Sequence, residues 1–188
     1  MPPRRNPAWA ELVQLLPIIT LALPFIIAGK VDLARADTGF LMGGLLTIPV
    51  TAAVVLRRYL LNPILVGTAA WLWLGLLACY APLPTVRTWL VSTQAFGLFL
   101  AAFLAGSVAM LWSPWGYIAY PSSDRRWNRT ASVVLLGMTV AAVVWSWFFR
   151  HDVRVGGGLP FIVLNVARRI LGRRAPTANT GEPSLVPP

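Results

Sequence analysis

The side chains in this chain that could do chemistry fall in four places. The first is Arg150-His-Asp-Val-Arg154, which holds the only histidine, His151. An imidazole beside a carboxylate can serve as a base or a metal ligand. A zinc-type centre needs further His or Cys ligands, and none lies near it. A haem or chlorophyll needs one axial histidine, so His151 is the one candidate pigment ligand. Its place at the end of an apolar run, among arginines, favours a histidine at headgroup level. The second place is Asp32 and Asp37, five apart in a polar loop with intervening bases. A carboxylate pair can hold a metal-diphosphate, but capping of the next helix by Asp37 or Thr38 is the simpler use. The third is Ser92-Thr93-Gln94, the polar cluster inside an apolar run. The fourth is Glu11, the one acid placed near enough to an apolar run to serve a coupled transporter. Cys79 stands alone, which excludes an intrachain disulfide. The motifs GxSxG, HExxH, CxxC and GxxxxGK[ST] are absent. No catalytic residue, metal site or cofactor is therefore expected.

The elements that carry these residues are set by composition. The chain is 57% hydrophobic and 12% charged, and a soluble domain carries about twice that charge. All six acids lie outside or at the edge of the apolar runs, as a hydrocarbon medium demands. The expected fold class is all-α, a polytopic membrane bundle of five helices with a C-terminal interfacial helix. An irregular leader covers 1–10. The transmembrane domain covers 11–155, with spans at about 11–29, 38–56, 63–80, 89–112 and 130–149. A signal peptide is the alternative for the first span. Its apolar run is too long for one and carries Pro17 and Pro24, which kink a retained helix. Residues 175–188 form a Pro-rich disordered tail.

Small residues recur at four-residue spacing in two spans: Gly39, Gly43, Thr47 and Thr51, and again Gly97, Ala101, Ala105 and Ala109. Such stripes let helices approach closely, so spans two and four are expected to pair. Trp71 and Trp73 lie mid-span and read as packing or lipid contacts.

After span five, Gly156-Gly157-Gly158 is expected to break the helix, and Pro160 to open a new one. On a helical wheel Asn165, Arg168, Arg169 and Gly172 share one face, with Val163, Val166 and Ile170 on the other. Residues 156–174 thus read as a glycine hinge and a helix lying in the membrane interface, its arginines on headgroups. The apolar part is about 13 residues, short for a span. Lipid-headgroup contacts are expected from Arg125, Arg126, Arg129, Arg168, Arg169, Arg173 and Arg174.

Five spans divide the basic residues seven against nine, and place the C-terminus in the cytoplasm. Crossing by the segment after the glycines would give eleven against five, with both termini inside. A re-entrant first span gives the same ratio.

The opening Glu11-Leu-Val-Gln-Leu-Leu-Pro17, the basic turn Arg57-Arg58 after span two and the pair Trp127-Asn128 before span five resemble the bacterial intracellular-septation inner-membrane family. The resemblance implies about five spans and a cell-envelope role without known catalysis. The family's aromatic C-terminal pattern is not matched by the Gly-rich segment. The net charge of +10 serves topology and anionic headgroups rather than nucleic acid. The expected function is an accessory or scaffold subunit among other membrane proteins of a bacterial inner membrane. The alternative is a small uncoupled transporter with a polar cavity lined by Gln94, Thr47 or Thr51. A lipid-acting enzyme would need a cluster in space drawn from Asp32, Asp37, Asp124, His151 or Asp152, and five spans put Asp124 on the opposite side from the other four.

Overall fold

The computed structural model describes residues 7–28, 33–81, 83–120, 122, 124–150, 152 and 154–175. His151, Asp32, residues 1–6 of the leader and residues 176–188 of the tail lie outside them, as does the side chain of Gln94.

The expected all-α bundle is what these apolar runs form. Its helices are α1 (Ala8–Ala28), α2 (Leu33–Leu56), α3 (Pro63–Tyr80), α4 (Pro84–Trp112), α5 (Arg125–Phe148) and α6 (Leu159–Arg173). No strand occurs among the described residues. Five stretches are long and apolar enough to cross a membrane: Ala36–Leu56, Pro63–Tyr80, Ala95–Trp112, Arg125–Phe148 and Arg154–Arg173. Trp9–Leu23 of α1 forms a shorter apolar helix.

Side-chain caps start two of the helices. Asn62 Oδ1 accepts from the Ile64 amide at 3.1 Å, and Pro63, which lacks a donor, takes the first helical position. Asp124 Oδ1 accepts from the amides of Arg126 and Trp127 at 2.8 and 3.2 Å. α2 differs from expectation. It begins at Leu33, so Asp37 lies inside the helix rather than capping it.

Neighbours in sequence are neighbours in space, with α1 on α2, α2 on α3, α3 on α4, α4 on α5 and α5 on α6. The chain therefore runs up and down. The start of α1, the end of α2, the start of α3, the end of α4, the start of α5 and the end of α6 share one end of the bundle. The core lies along Phe99, Leu72, Ile64, Leu90, Leu135 and Leu164.

Two expectations are corrected. The small-residue stripes of α2 and α4 do not meet each other. Gly43 faces the Pro17 carbonyl of α1, at 2.9 Å from where a Cβ would stand, and Gly39 faces Leu21 of the same helix. Gly97 of α4 faces the Trp71 ring of α3. Ala101 packs with Ala102 against Gly67 of α3. A stripe of small residues permits a close neighbour without naming it.

The glycine hinge is also absent. Arg154–Gly158 is a π-helical turn that runs straight into α6, with Gly158 at φ −65° and ψ −49°. Gly156 is needed because a Cβ there would collide with the Phe149 carbonyl. Gly156 thus serves close approach, and the three glycines lie within continuous helical turns rather than breaking the chain.

Candidate functional site

The densest polar cluster lies where α1 begins and α6 ends. Glu11 and Gln14, one turn apart on α1, meet Asn165, Arg168 and Arg169 of α6 and Asn62 ahead of α3. Arg168 is only 3% exposed. Its Nη1 lies 3.8 Å from Glu11 Oε1, and Arg169 Nε lies 3.4 Å from Oε2. The Tyr120 hydroxyl donates to Glu11 Oε1. Arg168 Nε donates to the Ile118 carbonyl at 3.0 Å, and the guanidinium lies 5.2 Å from the centre of the Tyr120 ring. Arg168 Nη2 is buried without a hydrogen-bond partner, as are Trp127 Nε1 and both amide atoms of Asn128 at the start of α5.

A second layer joins three elements. The Asn62 amide donates to Gln14 Oε1 at 3.0 Å, and Asn62 Nδ2 donates to Asn165 Oδ1 at 3.2 Å. The loop between α4 and α5 supplies Ile118 and Tyr120. It is pinned by Tyr117, whose amide donates to Ser132 Oγ at 2.9 Å and whose hydroxyl bonds with Ala102 and Thr139. Burial pushes that hydroxyl up to about 12. Ala119 sits in the left-handed region at φ 51°, a conformation an L side chain resists. It lies directly after the carbonyl offered to Arg168.

At the other end of the bundle stands a smaller tie. Asp37 of α2 accepts from Arg87 Nε and from the Cys79 thiol, each at 3.1 Å, and pairs with Arg87 Nη2. The side chains of Arg87 and Asp37 are 36% and 33% exposed.

The expected site residues distribute as follows. Arg125, Arg126, Arg129, Arg173 and Arg174 are exposed, and Arg169 is half-buried. Arg168 is the correction. Expected on headgroups, it is inside the bundle, and Asn165 turns inward with it. Val163, Val166 and Ile170 face outward. The wheel grouped these residues correctly, and the bundle took the polar face because Glu11 and Tyr120 wait there. Among the described acids of the enzyme constellation, Asp124 lies apart from Asp152. Asp124 caps the start of α5 and Asp152 follows its end, a separation of roughly 36 Å for 24 residues. Among the described residues no three His, Cys, Asp or Glu side chains cluster as a metal site.

Thr47 and Thr51 line a cavity of ≈ 510 Å³ between α1, α2 and α3, with Gln14, Asn62 and Thr68. Trp73, also in its wall, donates from Nε1 to Thr47 Oγ1 at 2.7 Å. Sequence reasoning missed Gln14, Asn62 and Tyr120 as members of the polar cluster. Their signal was there: a polar i, i+3 pair on the first helix and a polar i, i+3, i+4 set on the last are complementary in charge and spacing.

No family model matches the chain, and no curated protein or solved structure is significantly similar to it.

Proposed function

We propose that this chain is a non-catalytic integral membrane protein of a bacterial inner membrane. It acts there as an accessory or scaffold subunit of a larger membrane complex or of envelope machinery. The observation that supports this is the tie of Glu11 to Arg168, Arg169 and Tyr120. Intramembrane charges are costly and commonly mark transport or catalysis. In this chain they hold the first helix to the last, which suits a fixed frame. Its partners are other membrane proteins and anionic headgroups. Arg125, Arg126, Arg129, Arg169, Arg173 and Arg174 meet the headgroups, and nucleic acid is not a partner. Extraction in mild detergent tests the reading: a membrane protein co-purifies in fixed proportion. A lone monomer under the same conditions contradicts it.

Its orientation follows if all six helices cross. Arg154–Arg173 has 20 residues, roughly 30 Å of helix and enough for the hydrocarbon core. Six crossings divide the basic residues eleven against five. The richer side holds both termini, and it is cytoplasmic by the positive-inside rule.

A second reading is uncoupled passage of a lipid or a neutral solute, favoured by the cavity that Thr47 and Thr51 line. In proteoliposomes it requires solute or lipid flux that falls in the Thr47→Val, Thr51→Val double variant. Flux equal to protein-free vesicles rules it out.

A further inference from the structure

Among the described residues, α1 and α6 are tied at one end, through Glu11. Toward the other end a second cavity of ≈ 790 Å³ lies between them, within the range of about 300–1,000 Å³ usual for ligand pockets. Ile18 and Leu21 of α1, Leu98 of α4 and Phe161 of α6 are among its walls. Arg154, the first residue of the π-helical turn, is the charged residue among the described lining. Gly158 lines the same space, and a Cβ built on it meets nothing within 4 Å. Its backbone is ordinary right-handed helix, so glycine is not required there by conformation. The missing side chain keeps the cavity open.

The bilayer decides what such a cavity can select. An acyl chain entering it leaves a medium as apolar as the walls, so the hydrophobic effect offers no preference. Selection falls to the polar end. Arg154 lies at the end of its helix, at headgroup depth for a crossing segment, and a guanidinium fork matches phosphate oxygens. From Arg154 to Val163 the lining descends nine residues, roughly 13 Å. The occupant thus has its charge at the rim and its hydrocarbon along Phe161 and Ile18. We propose that this cavity holds one acyl chain of an anionic glycerophospholipid whose phosphodiester pairs with Arg154. The site is separate from the Glu11 cluster and does not depend on the scaffold reading.

The test uses the full chain in nanodiscs of equal phosphatidylglycerol and phosphatidylethanolamine with identical acyl chains. The protein is re-extracted, and retained lipid is counted by mass spectrometry. Phosphatidylglycerol should be retained about fivefold over phosphatidylethanolamine, the preference expected of one interfacial charge. Arg154→Gln should remove most of that preference, Arg154→Lys should keep it, and Gly158→Phe should lower the lipid retained per protein. Equal retention of the two lipids by the wild type, or an undiminished preference in folded Arg154→Gln, overturns the proposal. Should that variant not fold, the wild type still decides. A phosphatidylglycerol with a photoreactive group in its acyl chain should crosslink to residues 18–23 and 161–163. Crosslinks scattered over the outer apolar surface mean annular lipid only and overturn it.

Discussion

The two ends of the bundle solve one problem at different depths. Each pairs a carboxylate with an arginine from a distant helix. At the Asp37 end both side chains are about a third exposed, at 33% and 36%, and the carboxylate's one further bond is from Cys79. At the Glu11 end the side chains are 14% and 3% exposed. There a second arginine, a tyrosine hydroxyl, an aromatic face and a backbone carbonyl join them. Taking charges out of water carries a large desolvation penalty, which a single Coulomb pair does not offset. The number of partners thus follows the depth of burial. It also accounts for Ala119, which is held in a left-handed conformation beside the carbonyl given to Arg168.

This contrast can be broken by substitution. Glu11→Gln should have the largest effect, because it leaves Arg168 buried without a counter-charge. A loss of about 3 kcal/mol is expected, read as a shift in the unfolding midpoint in mixed micelles. Arg168→Met should cost less, since Glu11 keeps Arg169 and Tyr120. The reverse order would refute the assignment of Glu11 as the hub. Tyr120→Phe keeps the ring under Arg168 and removes the hydroxyl, for a loss of about 1.5 kcal/mol measured in the same way. Ala119→Gly should raise stability by about 1 kcal/mol by relieving the left-handed backbone. A drop would show that the methyl group packs usefully. Asp37→Asn is expected to leave the midpoint nearly unchanged and insensitive to salt, because exposed pairs contribute little. A shift as large as that of Tyr120→Phe would erase the distinction between the ends.

Local features of the sequence carried over where the chain's own chemistry decides them. Asn62-Pro63 is a turn in the sequence and an N-cap in the fold, since a side-chain oxygen and a missing amide act within two residues. The apolar runs become helices because hydrocarbon leaves the backbone no other partner. Statements about which helix meets which were not legible. Gly39 and Gly97 advertise close approach, yet their neighbours, Leu21 and Trp71, are chosen by the order of connections. The wheel placed Asn165, Arg168 and Arg169 on one face of α6. Whether that face turns outward or inward depends on Glu11, far away in sequence. Three glycines in a row look like a breaker in the sequence, although at Gly156 the missing side chain admits the Phe149 carbonyl.

With the turn before it, α6 is long and apolar enough to cross a membrane, and the side on which the chain ends tests the proposed six-helix crossing most directly. Reporters active only in the cytoplasm or only outside it, fused in turn to the N- and C-termini, give the answer. The six-helix bundle predicts that both termini report from the cytoplasm. Termini on opposite sides would contradict it and leave either α1 or α6 short of a full crossing.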